Sequence, residues 1–440
     1  MGGILGKRRT GAGMMMAAVM ASTMPCAAAQ QETYGPPSPP TDGASDLLQL
    51  APGIDPELND AAAHALGNYP ALAAARSNVR AADYEIEAAK WLRFPSVEAS
   101  IATSDDQLGE LRPDINIFQP IWTGGRISAA IERSRALRAV ADAQLVVTSY
   151  DILERLIRAY YEIGRTSRLA AIYQESVAEH RRLVESMQRR VDSEVSPRTD
   201  LELAQTRASQ AEQELAQVTT MEKIARRRFA ELGGVATIDV APPAYDDVRH
   251  HAVGDQAIER AGLCNPVVQK LLAEVALAEA ERKLSKAEIM PQLGAQYVRD
   301  LFGGDQIGLA LRAQTNGGLS GFSMAEAANA RRDASQYAAS TAQLEIREQV
   351  SLDLIENQSA RARITSGSAA AHSSLNVTRS YLRQFVAGRR TWLDVMNSVR
   401  EAVTARAALV EAETSAMTSS ARIHLRSCEW LPTASAGGVE

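Results

Sequence analysis

Aromatic side chains are scarce in this 440-residue chain, at 5% of the sequence. Alanine-rich segments take their place. Small side chains let helices approach closely but leave a thick globular core unfilled. Long apolar runs are also missing. No segment beyond residue 29 approaches 18 uninterrupted apolar residues, which argues against a membrane-spanning helix. The six histidines have no metal-ligand spacing beyond the adjacent His250-His251 pair, so no metal site is expected. No nucleophile motif, P-loop or dinucleotide fingerprint occurs, and no Lys-Ser/Thr follows the double glycines. We therefore expect no cofactor and no enzyme. Charge of one sign is not concentrated: 47 Lys and Arg against 53 Asp and Glu are spread along the chain. They read as solvated helix surfaces, with no basic face for nucleic acid.

What is present begins with an address. Lys7, Arg8 and Arg9 precede a short apolar stretch, Met14 to Met24, and Ala27-Ala28-Ala29 offers a cleavage site. Residues 1–29 read as a secretory signal peptide. Cys26 would leave with it, and Pro25 makes a poor lipid-attachment context. An exported chain without a spanning helix is periplasmic, extracellular or an outer-membrane β-barrel. Residues 30–55 form a linker in which Pro36, Pro37, Pro39 and Pro40 preclude a helix or packed core.

The stretch from Gly124 to about Asp192 organises the rest. It holds no Pro and one further Gly beyond the opening pair, and apolar residues recur at three- and four-residue spacing, as in Leu145, Tyr150, Ile152, Leu156, Tyr160 and Ile163. A helix of that length would be a rod of about 100 Å. It must pack on other long helices as a coiled coil or helical repeat.

Landmarks recur along the chain. Asn68-Tyr69-Pro70 and Asn265-Pro266 both mark helix starts. Pro95 and Pro291 follow at equal spacing, then the double glycines Gly124-Gly125 and Gly317-Gly318, then Asp200 and Asp394 in matching context. Near-constant offsets imply a tandem duplication: residues 56–235 and 255–430, joined by linker 236–254 and followed by tail 431–440. Each half predicts a largely helical stretch (Pro56 to Arg93; Asp255 to Ile289), two strands, a long helix and a return helix. The strands are Ser96–Thr103 with Asp114–Trp122, and Gln292–Arg299 with Gln306–Ala313. Polar loops join them, from Ser104 through Arg112 and from Asp300 to Asp305. Alternation as in Val97, Ala99 and Ile101 suits a half-buried strand, and the lengths approach what a tilted membrane strand needs. The return helices follow Pro197 and Gly388 and end near Gly234 and Cys428.

From Leu58 to Trp430 these features resemble the TolC family of outer-membrane efflux and secretion channels. The helix starts, the strand entries and Gln119-Pro120-Ile121-Trp122-Thr123-Gly124-Gly125 carry the resemblance. It implies a mainly α protein with a small β part. Long helices would form a coiled-coil tunnel across the periplasm, and four strands per protomer would join a homotrimeric twelve-stranded barrel in outer-membrane lipid. The implied partners are a periplasmic adaptor (membrane fusion) protein and an inner-membrane pump, ABC or proton-driven, which supplies the energy. The second turn, with Gly317-Gly318-Leu319-Ser320, resembles the LapE-like branch that serves type I secretion of adhesins. The cargo stays open between protein and small toxic molecules.

The resemblance also assigns a gate at the helix tips. Phe385 stands where the family has an aromatic gate residue, and Thr199, Asp200, Arg390 and Asp394 match gate positions. The simpler reading makes Arg390 and Asp394 a solvated i,i+4 pair. Asn397 replaces a second acidic pore residue, and Glu194 replaces the usual tip glycine of the first half. Cys264 and Cys428 lie at the two ends of the second half. If those ends meet in the family's mid-tunnel belt, an oxidising periplasm would bridge them; otherwise they are two thiols packed as small hydrophobes. A periplasmic coiled-coil adaptor or scaffold without a barrel is the competing reading.

Overall fold

The computed structural model describes residues 53–103, 111–234, 240–252, 254–300, 304–313 and 318–430. The signal peptide, most of the proline-rich linker, Cys26, Gly317 and the tail 431–440 lie outside the described residues. The protein is mainly helical with one small sheet. The elements run α1 (Pro56–Asn68), α2 (Pro70–Trp91), β1 (Ser96–Thr103), β2 (Leu111–Trp122), α3 (Arg126–Asp192) and α4 (Arg198–Gly233). They continue with α5 (Asp255–Cys264), α6 (Pro266–Glu288), β3 (Gln292–Asp300), β4 (Gly304–Arg312), α7 (Ser320–Val386) and α8 (Trp392–Arg426).

The helical stretch expected from Pro56 to Arg93 is two helices, and its counterpart breaks in the same way at Asn265. A proline pushes the residue before it out of the helical region, and Tyr69 has ψ 129°. Asn265 caps α6, accepting from the Val267 N–H at 3.0 Å. Asn68 does not cap α2; its amide donates back to His64 O. Leu111 and Arg112, expected in a loop, belong to β2, and Asp300, Gly304 and Asp305 belong to β3 and β4.

The strands form one antiparallel sheet in the order β1-β2-β3-β4. Its register sorts the side chains. Val97 sits across from Ile117, Ile117 from Tyr297, and Tyr297 from Ile307. Leu309 and Leu311 share that face. On the other face Glu98 sits across from Asn116, Asn116 from Val298, and Val298 from Gln306. Gln296 Nε2 donates to Asn116 Oδ1 at 2.9 Å there. Ile307, Leu309 and Leu311 are 70–83% exposed. One face is thus apolar and open, the other largely polar.

Gly124 starts the turn into α3 at φ +58°, and a Cβ there would lie 2.2 Å from Met290 Cβ. Only glycine suits the turn and the close approach of the second half. Helices α3 and α7 are each 67 residues long, rods of about 100 Å. Helix α4 packs back along α3, and α8 along α7; α3 touches α8, and α2 and α6 pair with the N-terminal part of α3. The largest core lies where α1 crosses α3 and α4, around Leu58, Leu156, Tyr160, Tyr161, Phe229 and Trp430. Ion pairs join α3 to α8 at this core and on toward the C-terminal end of α3: Glu154–Arg426, Arg165–Glu411, Arg168–Glu413 and Glu175–Arg406. No described helix is long and apolar enough to cross a membrane.

Candidate functional site

The two helical hairpins end together. At the first tip, the Val195 N–H donates to Arg190 O at 2.8 Å, and the Glu194 N–H to Val191 O. At the second, the Arg389 N–H donates to Gln384 O at 2.8 Å, and the Gly388 N–H to Phe385 O. This is the bond pattern that closes a helix through a left-handed residue. Gly388 has φ +72° and Glu194 has φ +56°.

An apolar cluster joins the two tips. Leu183, Met187, Leu201 and Ala204 of the first hairpin pack with Phe385, Trp392, Val395, Met396 and Val399 of the second. The Phe385 and Trp392 rings lie 5.8 Å apart, and the Arg190 guanidinium sits 4.6 Å over the Phe385 ring. Phe385 is therefore buried in the protomer's own tip core. The sequence reading overlooked Trp392, Arg190 and Tyr381 as members of this assembly. Trp392 at the first position of α8 was the available signal, because an apolar residue beside a helix start fixes the entering chain.

Arg390 lies 4.3 Å over the Tyr381 ring and 3.6 Å from Asp394, with both charged side chains more than a third exposed. Such a pair contributes only a few tenths of a kcal/mol. Asp394 has a second occupation. Its N–H donates to Thr391 Oγ1 at 3.3 Å, and the Thr391 hydroxyl donates to Asp394 Oδ2 at 2.9 Å. That reciprocal arrangement caps α8. The Thr391 hydroxyl, ahead of Arg390, holds the Asp394 carboxyl below its usual range. Thr391-x-x-Asp394 was legible as a capping box in the sequence. Thr199 and Asp200 begin α4 on the same end of the molecule; Thr199 is exposed and Asp200 half-buried. Neither makes a side-chain bond among the described residues.

The far ends of the return helices meet the belt around α1 and α5. Cys264, at the end of α5, and Cys428, just past α8, are joined by a disulfide with Cα atoms 6.4 Å apart. Trp430 Nε1 donates to Asn59 Oδ1, both buried, and Asn357 Nδ2 donates to His250 O and Ala416 O. The His250 ring is fully buried, and burial lowers its pKa from 6.5. Among the described residues no group of His, Cys, Asp or Glu is arranged to hold a metal ion.

Residues 62–235 match the family described as outer membrane efflux protein. No curated protein matches the chain in sequence. Solved structures match the fold over most of its length. The outer membrane protein VceC from Vibrio cholerae is 17% identical, with TM-score 0.71, over 84% of this chain and 96% of that one. The Campylobacter jejuni CmeC outer membrane channel is 11% identical, with TM-score 0.71, over 85% and 86%. The Neisseria gonorrhoeae MtrE channel in its open state is 14% identical, with TM-score 0.68, over 84% and 89%.

Proposed function

We propose, from the premise that residues 62–235 belong to the outer membrane efflux protein family and that the whole described chain has the fold of outer-membrane channels, that three copies close into an export conduit. Each copy donates its four strands to one outer-membrane barrel and its long helices to a periplasmic tunnel. Two tandem repeats, 56–235 and 255–430, build it, and the matching lengths of α3 and α7 support that division.

One observation carries the reading: sheet and helices leave matching flanks unpartnered. The sheet ends at β1 and at β4, and four strands cannot close a barrel. Open edges in lipid leave backbone groups unsatisfied, so more strands must come from other copies. Among the helices, α2 and α4 form one flank and α7 the other. Both flanks expose apolar residues: Tyr84, Met221 and Ile224 on one, Tyr337, Leu344 and Leu352 on the other. A head-to-tail contact between unlike flanks makes a ring when its rotation closes.

In this reading the tips are the periplasmic aperture. Thr199, Asp200, Arg390 and Asp394 hold it shut, with Phe385 bracing them from the tip core behind, and an adaptor seats there to pass cargo from an inner-membrane pump. Exposed Val195, Val386 and Leu393 at the tips support a docking role. Cargo is a protein such as an adhesin, or small toxic molecules. No step in this role requires catalysis by the chain.

The test is fractionation followed by electrophoresis of the unheated protein. A detergent-requiring, heat-modifiable trimer in the outer membrane is expected. A soluble periplasmic monomer would favour the adaptor or scaffold reading.

A further inference from the structure

A cavity of about 140 Å³ borders the tip core at Met396, where α3 runs between α4 and α8. Buried His180 of α3 forms part of its wall, its Nδ1 bonded to Ser176 O at 2.8 Å. Helix α4 contributes Arg207 and Gln210, and α8 contributes Asn397 and Arg400. Each hairpin thus sends one arginine to the same space.

Neither arginine has a carboxylate partner. Beside the cavity α3 pairs with both neighbours, Arg181 with Glu212 at 2.7 Å and Glu175 with Arg406 at 2.5 Å. At the cavity that pairing lapses. Arg207 donates to Gln210 Oε1 at 2.9 Å and Arg400 to Asn397 Oδ1 at 3.1 Å, and among the described residues neither forms an ion pair. With both amide oxygens taken, the Gln210 and Asn397 NH2 groups are left to donate. The lining holds one carboxylate, Glu214, about 10 Å along α4 from Arg207.

We propose that this cavity binds a small oxyanion of phosphate size, which clamps α4 of the first hairpin to α8 of the second. Two guanidinium forks and two amide N–H2 groups form a donor set that lacks an acceptor. Guanidinium matches paired phosphate oxygens, and such charge-assisted bonds are roughly twice as strong as neutral ones. The cavity is far larger than the about 10–15 Å³ that one water needs. His180 lies about 80 Å along α3 from the end that joins the sheet. The ligand is therefore a free anion, not the headgroup of a lipid gathered around the strands.

The anion needs both arginines at once, so its binding favours the arrangement in which the hairpins lie together. Glu214 opposes it by like charge. The site needs no other copy of the chain and stands whether or not three copies form a channel.

Calorimetric titration of the purified full-length protein with inorganic phosphate, at an ionic strength held constant with chloride, tests it. One phosphate should bind per chain. Arg207→Gln and Arg400→Gln should each weaken binding by at least about tenfold. Glu214→Gln should tighten it, and Arg158→Gln, an exposed arginine outside the cavity, should leave it unchanged. Phosphate should also slow hydrogen exchange at residues 203–214 and 396–404 together, and should fail to do so in the double glutamine variant. No phosphate binding by the wild type would overturn the proposal. So would an affinity indifferent to both arginines, or slowing that chloride at equal ionic strength reproduces.

Discussion

Glu194 and Gly388 occupy the same left-handed turn position, one at each hairpin tip, and 194 residues separate them. A side chain at that position costs about 1–2 kcal/mol. The first hairpin carries this cost and the second does not. Glu194→Gly should therefore raise thermal stability by up to about 1 kcal/mol, since glycine's extra unfolded-state freedom offsets part of the gain. Gly388→Ala should lower it by a comparable amount. Melting curves of the two variants in one detergent check the signs.

The tip makes two separable predictions. Trp392→Ala removes the ring that bridges the hairpins and should cost about 3–5 kcal/mol locally, read as faster hydrogen exchange at residues 183–204 and 381–399. Asp200→Ala with Asp394→Ala should raise single-channel conductance in a planar bilayer if the carboxylates hold the aperture. Thr391→Ala is the control. It removes the α8 cap, worth about 1 kcal/mol, and leaves both carboxylates in place. Wild-type conductance in the double alanine variant would leave Arg390–Asp394 as a surface pair only.

Acid should loosen the belt through His250. Its ring is buried and its pKa lies below the usual 6.5. Below pH 6.5 the unfolded chain therefore takes up a proton that the folded chain refuses. This contribution is whole above 6.5 and falls as pH drops, by up to about 1.4 kcal/mol per unit. His250→Gln should flatten that part of the curve, measured by thermal denaturation between pH about 7.5 and about 5.5.

The Cys264–Cys428 bridge closes a loop of 164 residues. Replacing both cysteines by Ser should cost about 2–5 kcal/mol. Peptide mapping of the non-reduced protein should recover the cross-linked pair. Free alkylation of both thiols would contradict the structure at the belt.

Most of the fold was legible because its elements obey simple periods. The run without proline after Gly125 announced α3, and the alternation through Val97 and Ile117 announced the strands. Strand ends were harder to read, because Leu111 and Arg112 look like a polar loop until the pairing with β1 is known. The break at Tyr69 was legible in Asn68-Tyr69-Pro70, which marks the start of α2, as Asn265-Pro266 marks that of α6. The tip resisted for a different reason. The family resemblance put Phe385 among the gate residues, but only packing reveals that its ring turns inward against Trp392. Asp394 likewise sits at a helix start, where its carboxyl serves Thr391 as well as any pore.

Closure of one barrel from several copies can be read on the two faces of β4. Leu309 lies on the open apolar face and Ala310 on the opposite, largely polar one. Arginine on a lipid face costs about 2–4 kcal/mol near the bilayer midplane, and far less in a lumen. Leu309→Arg should abolish the heat-modifiable outer-membrane trimer on unheated gels, and Ala310→Arg should leave it standing. Equal trimer yield from both variants would mean that neither face of β4 meets lipid and that the sheet is not part of a barrel.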